Sequence, residues 1–308
     1  MKEMANLPEY ELEICKSVVS EYLKYGSVDE LLKANNYDIP MSQASIHRLI
    51  DEWGIVKAAG PNKPLSELIG FFVSLAEKQV PLETLYKKMP SSFTHAVASL
   101  HRTYKDIKKN AKEALEERDL RRVGTAVMIY SEGNPNEIMI GLDTSPRVEL
   151  GKPYGAVSVP MGFSKRNENP QDSIRRLLQQ EVFMEKTVER KFPDNVIPMN
   201  PEPFMYVDVV DVRVAVYVLS LPSHLSDLKN FTSHRLKKHR FLPVNEASKF
   251  SANHNFRAGL KEMFETYQDL VHAKQEDRGY QIHIRRSWIN RKLEEAILAA
   301  QARPEAAV

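Results

Sequence analysis

Residues 160–184 read PMGFSKRNENPQDSIRRLLQQEVFM, and this stretch decides the fold of the second half of the chain. A loop that starts at Gly162 leads into a helix predicted from about Pro170 to Arg190, because proline suits the first helical turn. Alternating apolar residues precede the loop, as in a strand that enters it. The stretch therefore predicts a strand, a loop and a helix in direct succession.

The spacing of its charged residues resembles the Nudix box, G-x5-E-x7-R-E-U-x-E-E-x-G-U, where U is aliphatic. Gly162, Glu168 and Arg176 fall at the box positions, and Glu181 is the last of its helix glutamates. The resemblance implies an α/β/α sandwich with a mixed sheet. It also implies a structural role for Gly162, Glu168 and Arg176, with a salt bridge between the last two.

Three box positions differ in this chain: Leu177 and Gln180 replace glutamates, and Phe183 replaces the glycine. In the family those glutamates are ligands of Mg²⁺, which prefers carboxylate and water oxygens. A leucine supplies no ligand, and a glutamine supplies one neutral carbonyl. Glu181 is the remaining metal or catalytic candidate, and as a ligand it would hold a hydrated ion weakly. The alternative is that Glu181 is a solvated helix residue.

The overall composition is that of an ordinary globular chain. Its 308 residues suit about two domains, with 42% hydrophobic residues and a formal charge of +2. The single cysteine, Cys15, excludes an intramolecular disulfide. The charged N-terminus does not resemble a signal peptide, and no apolar run reaches membrane-spanning length. We expect a cytoplasmic protein without membrane contact.

The first part of the chain contains an internal repeat. Residues 13–51 match residues 67–105 without gaps at an offset of 54, and the string at 44–48 returns at 98–102 as Ala-Ser-aliphatic-His-Arg. The first copy predicts helices at 9–25, 28–33 and 42–53, with serine caps before the second and third. A short helix followed by a third helix with polar residues at its start resembles a helix-turn-helix.

These patterns divide the chain into four parts. They are a helix-turn-helix unit at 1–62, a second at 63–121, a Nudix-like domain at 122–272, and an amphipathic helix with a tail at 273–308. In the Nudix-like domain, strands are predicted at 123–130, 137–142, 154–160, 204–210, 213–219 and 240–246. A closing helix is predicted at 254–272.

The predicted third helices carry the candidate DNA contacts, because their polar and basic side chains suit phosphates and base edges. The candidates are Ser42, Gln43, Ser45, His47, Arg48, Ser99, His101, Arg102, Lys105, Lys108 and Lys109. Residues 1–122 contain eighteen Lys/Arg and eighteen Asp/Glu, so charge does not decide the matter. The alternative is a plain helical bundle in which His47 and His101 are packed residues.

Two further basic segments stand out. The predicted loop 233–240 carries Arg235, Lys237 and Lys238, which would either receive ligand phosphates or belong to a solvated insertion. A basic-headed amphipathic helix is predicted from Arg285 to Leu298. It would dock on the body, contact DNA or contact a second subunit, which makes a homodimer one of the partners to consider.

Three functions fit these observations. The first is a DNA-binding transcriptional regulator whose Nudix-like domain senses a nucleotide or diphosphate with little hydrolysis. The second is a hydrolase of a nucleoside diphosphate derivative, with a diverged Mg²⁺ site that combines Glu181 with Glu168, Glu185 or Glu246. The third is a structural module of a larger assembly. In known Nudix-related regulators the DNA-binding domain usually follows the Nudix domain, whereas here the helical units precede it.

Overall fold

The computed structural model describes residues 8–57, 122–147, 150–165, 167–209 and 212–287. The predicted second helical unit, with Ser99, His101, Arg102, Lys105, Lys108 and Lys109, lies outside the described residues, and so do residues 288–308. Helices and strands are numbered here along the described parts alone.

The first helical unit consists of three helices, α1 (Glu9–Tyr25), α2 (Val28–Ala34) and α3 (Gln43–Glu52). The predicted caps form, because the Ser27 hydroxyl accepts from the Glu30 N–H and the Ser42 hydroxyl accepts from the Ser45 N–H. The three helices bury a shared apolar core that includes Leu23, Leu31, Ile46, Ile50 and Trp53. The predicted trihelical arrangement is therefore present.

The link between α2 and α3 is not the short turn of a helix-turn-helix. It spans Asn35 to Ser42, which is longer than the three or four residues of a helix-turn-helix. Asn36 and Tyr37 adopt positive φ angles of 52° and 60°, and Pro40 follows them. The chain therefore leaves α2 through a left-handed bend and an extended segment before Ser42 starts α3.

The second region contains eight strands in two sheets. They are β1 (Arg122–Ser131), β2 (Glu137–Asp143), β3 (Ala156–Ser158), β4 (Met161–Ser164), β5 (Met205–Val209), β6 (Val212–Leu221), β7 (Leu236–Pro243) and β8 (His283–Ser287). The larger sheet has the order β4-β1-β6-β5-β8 and the smaller one the order β3-β2-β7. The larger sheet is mixed, because β1 runs parallel to β6 and antiparallel to β4.

Four helices belong to this region: α4 (Pro170–Glu181), α5 (Met184–Val188), α6 (Ala247–Asn253) and α7 (Leu260–Gln275). Short 3₁₀ turns occur at Asp194–Val196, Leu228–Asn230 and Val244–Glu246. Alternate residues of β1 belong to different cores: Val127 and Ile129 pack with α4, while Ala126 and Met128 pack with α7. Helices thus cover both faces of the sheet, as an α/β/α sandwich requires.

Several sequence-based boundaries were wrong. The box helix ends at Glu181 rather than Arg190, because Phe183 turns into the core and α5 starts separately. Residues 236–240 of the predicted basic loop are part of β7, which pairs with β2. The closing helix begins at Leu260, after Gly259 at φ 85°.

The C-terminal segment was also mispredicted at its start. Residues 285–287 are the end of β8 and not the start of a helix. The open edge of β5 explains the difference, since β8 pairs with it in parallel and takes up its unpaired backbone groups. The remainder of the predicted helix, 288–298, lies outside the described residues.

Candidate functional site

The loop of the box is fastened to α4 by an ion pair. Arg176 pairs with Glu168, and it also donates to the carbonyl of Phe163 at 2.8 Å. Glu168 further accepts from the Ser173 hydroxyl at 2.7 Å and from the Lys165 N–H at 3.1 Å. Both charged side chains are almost fully buried, at 3% and 6% exposure. The pair therefore joins the loop to the first half of the helix.

Gly162 allows β4 and α4 to approach each other closely. A Cβ atom at this position would lie 3.2 Å from Cδ2 of Leu177, tighter than an ordinary contact. Leu177 itself is buried in the apolar core beneath the helix. The position at which the family has a metal ligand is therefore part of the packing between helix and sheet.

Gln180 occupies the next ligand position and is also buried. Its side-chain Nε2 has no hydrogen-bond partner within the described residues, while its backbone carbonyl accepts from the Ser233 hydroxyl at 2.9 Å. This box position therefore holds a buried neutral amide in place of a carboxylate.

Glu181 closes the helix with 6% of its surface exposed, so it is not a solvated helix residue. Its Oε2 accepts from the backbone N–H of Met161 at 3.0 Å. Burial raises the pKa of Glu181, and the charge of Asp143 raises it further. Arg257 and the Met161 N–H act in the opposite direction, because both favour the ionised carboxylate.

Glu181 belongs to a buried ionic cluster. The other members of this cluster are Asp143, Lys152 and Arg257. Asp143 Oδ2 lies 3.1 Å from Lys152 Nζ and 3.4 Å from Arg257 Nη1. Arg257 also donates to the carbonyl of Met161 at 3.0 Å, so Met161 joins the two halves of the cluster through its backbone. Burial lowers the pKa of Lys152, with a further reduction from Arg257.

Sequence reasoning missed Asp143, Lys152 and Arg257. They come from the end of β2, the loop after it and the segment before α7, and no spacing rule connects these positions. The described parts of the chain contain no group of three or more Asp, Glu, His or Cys side chains arranged to hold a metal. The carboxylates proposed to assist Glu181 lie elsewhere: Glu168 pairs with Arg176, while Glu185 and Glu246 are exposed.

The predicted ligand-binding residues of the basic segment separate into two environments. Arg235 donates through Nε to the carbonyl of Lys24 at 3.2 Å, at the end of α1, and its charge also acts on Glu181. Lys237 and Lys238 are exposed on β7, where Lys238 has a φ of 53° beside an irregularity in the pairing with β2. Arg235 thus lies between the ionic cluster and the first helical unit.

The first helical unit packs against the end of the box helix. Gln179 bridges them, since its Oε1 accepts from the Val56 N–H at 3.0 Å and its Nε2 donates to the Gly54 carbonyl at 2.9 Å. Trp53 donates to the carbonyl of Val188 at 3.1 Å. Met184 belongs to the same apolar core as the three helices. The contact is therefore both apolar and hydrogen-bonded.

Further polar contacts extend this interface. Lys16 pairs with Glu189 at 3.1 Å, and Ser20 shares a hydrogen bond with His234 at 3.2 Å. The His234 carbonyl in turn accepts from the hydroxyl of Thr144, which follows Asp143 of the ionic cluster. The interface thus reaches from the box helix to the edge of the smaller sheet.

The predicted DNA contacts of α3 lie mostly on the surface. Ser42, Gln43, Ser45 and Arg48 are exposed, and His47 is half-buried. Ser42 and Ser45 form the helix cap, and Gln43 donates to an oxygen of Asp29 at 3.2 Å. The C-terminal end of α3 turns toward the second region through Trp53, and its N-terminal half stays uncovered by the described residues.

The described residues contain no helix that combines the length and apolarity needed to cross a bilayer. No family model matches the chain, and no curated protein sequence matches it either.

Solved structures do resemble it. A NUDIX hydrolase from Nitrosomonas europaea is 12% identical, with 54% of this chain and 80% of that chain covered and a TM-score of 0.37. A mutT/nudix family protein from Listeria innocua is 16% identical, covering 50% and 96%, with a TM-score of 0.36.

The NUDIX domain of Shewanella oneidensis NrtR, solved with ADP ribose, is 11% identical to this chain. The match covers 52% of this chain and 97% of that one, with a TM-score of 0.34. Independently of these scores, the box spacing, the Glu168–Arg176 pair and the helices on both faces of a mixed sheet occur together here. The region that starts at β1 therefore combines the spacing of the Nudix box with an α/β/α fold.

Proposed function

We propose that this chain is a DNA-binding transcriptional regulator in which the Nudix-type domain binds a nucleotide or diphosphate and hydrolyses it poorly. The observation that carries the proposal is the packing of the first helical unit on the end of the box helix. Gln179, one residue from the ligand positions, holds the backbone of that unit at Gly54 and Val56. The box helix is thereby in direct contact with the first helical unit, so a ligand-induced change in the box would act on that unit.

The exposed half of α3 supports the DNA-binding part of the proposal. Arg48 is exposed and Gln43 and Ser45 lie beside it on the start of the helix, where a recognition helix contacts base edges. Arginine suits bidentate contacts to guanine or phosphate. The interface with the Nudix-type domain uses Trp53 at the opposite end of α3, so the two contacts do not compete.

The ligand-sensing part rests on the lost metal ligands together with the basic segment. Leu177 lies in the core and Glu181 is engaged by Met161, so hydrolysis lacks its usual carboxylates. Lys237 and Lys238 are exposed near Arg235 and would meet phosphates of a bound nucleotide.

The test uses the full chain. Duplexes are selected from a random pool at low salt, and binding of the enriched sequence is measured by fluorescence anisotropy with and without ADP-ribose. Arg48→Ala should weaken binding by about 1–3 kcal/mol and relax specificity at one position, as loss of a base contact does.

Lys229→Ala is the matched control, because it removes one exposed positive charge from the Nudix-type domain. It should leave specific binding unchanged. If the full chain retains no duplex at low salt, with or without ADP-ribose, the regulator proposal fails. A packing module would then be the better account of the helical unit.

A further inference from the structure

The ionic cluster contains its own positive charges at the place where a Nudix site would gather carboxylates around a metal. Lys152 and Arg257 oppose Asp143 and Glu181, so the four side chains balance when all are ionised. All four are buried or nearly so. Buried charges persist in proteins when they are paired in this way.

Asp143 has no oxygen to spare for a metal. Its Oδ1 accepts from the N–H and the hydroxyl of Ser145, each at 2.8 Å. Its Oδ2 faces Lys152 Nζ at 3.1 Å and Arg257 Nη1 at 3.4 Å. A carboxylate offers about four acceptor sites, so these contacts occupy all of them.

Glu181 is engaged through one of its two carboxylate oxygens. Its Oε2 accepts from Met161, whose carbonyl accepts from Arg257, and Arg257 is close enough to act on the charges of both carboxylates. The neighbouring box positions supply Leu177 in the apolar core and the neutral amide of Gln180, so neither adds a carboxylate. Mg²⁺ requires several oxygens in octahedral geometry, and these residues do not fit it.

We propose that Lys152 and Arg257 take the place of the divalent metal in this box, neutralising Glu181 and Asp143 and excluding Mg²⁺ from the site. The cluster is then a metal-independent ionic core, and any phosphorylated ligand of this domain binds without a bridging cation. This inference concerns the Nudix-type domain alone and holds whether or not the helical unit binds DNA.

The experiment measures Mn²⁺ binding by electron paramagnetic resonance, with Mg²⁺ as competitor, on the full chain. The wild type should show no Mn²⁺ site that depends on Glu181. The double variant Lys152→Met, Arg257→Met uncovers two carboxylates and should bind Mn²⁺ at least about tenfold more tightly than wild type. Adding Glu181→Gln to the double variant should remove the gain.

Lys229→Met with Lys261→Met is the matched control. It removes two exposed, paired lysines and so changes the net charge equally, without touching the cluster. It should bind Mn²⁺ as the wild type does. Circular dichroism establishes that each variant is folded, and the single variant Lys152→Met replaces the double one if the latter unfolds.

Two results would overturn the proposal. One is Mn²⁺ binding by the wild type that Mg²⁺ competes away and that Glu181→Gln abolishes. The other is a folded variant that lacks Lys152, with or without Arg257, and whose Mn²⁺ affinity equals that of the control. The wild-type measurement decides the matter even if every cluster variant fails to fold.

Discussion

The two halves of the box helix differ in what their side chains hold. The first half, up to Arg176, has the ion pair that the Nudix resemblance implies, in which Arg176 and Glu168 fasten the loop to the helix. In the second half, Leu177 fills the apolar core, Gln179 binds the helical unit and Glu181 enters the ionic cluster. The same helix therefore has the box-type ion pair at one end and different contacts at the ligand positions of the other.

This difference separates two kinds of position in the box, those that hold the loop and those where a metal ligand would stand. The Glu168–Arg176 pair stabilises the loop whatever the site binds, because removing one partner would leave a buried charge. A metal ligand does not stabilise the loop in this way. Its position can therefore hold a residue that packs in the core or contacts the helical unit. The box of this chain retains the first kind of residue and replaces the second.

The largest expected effect on stability comes from removing the ion pair in the first half of the box helix. Arg176→Ala leaves Glu168 buried without its cation and should lower the free energy of unfolding by about 3–5 kcal/mol. Chemical denaturation of the full chain measures the change. Arg175→Ala is the control, since that neighbour forms more exposed pairs with Asp172 and Asp194 and should cost about 0–1 kcal/mol. Equal losses in the two variants would contradict the assignment.

A smaller loss of stability is expected from a substitution in the second half of the box helix. Gln179→Ala strands the Val56 N–H and the Gly54 carbonyl, and should cost about 1–3 kcal/mol of stability. Hydrogen exchange at the Val56 amide should accelerate as well, because the amide loses its acceptor. Gln171→Ala, at a half-buried position of the same helix where the side chain donates to the Pro198 carbonyl instead, should leave that amide protected. An unchanged exchange rate in Gln179→Ala would mean that the helical unit is held by other contacts.

The smallest effect concerns pH. Burial lowers the pKa of His234 from its ordinary value of 6.5, and the charges of Lys237 and Lys24 lower it further, against Glu21. The unfolded chain therefore binds the proton more readily, so this contribution to stability is present above pH 6.5 and is lost as the pH falls through the folded pKa. His234→Gln should flatten the dependence of the unfolding free energy on pH in that range.

Ser20→Ala is the control for this prediction, because it removes the hydrogen bond to His234 but keeps the titrating ring. Its stability should still fall on acidification as in the wild type. An identical pH slope in His234→Gln and the wild type would show that other groups govern the acid sensitivity.

The sequence predicted local features well and distant contacts poorly. Helices α2 and α3 follow from serine caps and apolar spacing, and both are properties of neighbouring residues. The ionic cluster joins Asp143, Lys152 and Arg257 across the fold, and strand β8 depends on an open edge of β5. Neither can be found from spacing, because the partner is set by the tertiary structure.

The measurement that tests the central claim most directly is a pyrophosphohydrolase assay of the full chain on ADP-ribose with Mg²⁺. Because the ligand half of the box is reassigned, we predict hydrolysis far slower than an ordinary enzyme rate of about 1 s⁻¹. Addition of EDTA should leave the slow rate unchanged. Turnover at about 1 s⁻¹ or faster that requires Mg²⁺ and is lost in Glu181→Gln would contradict the account.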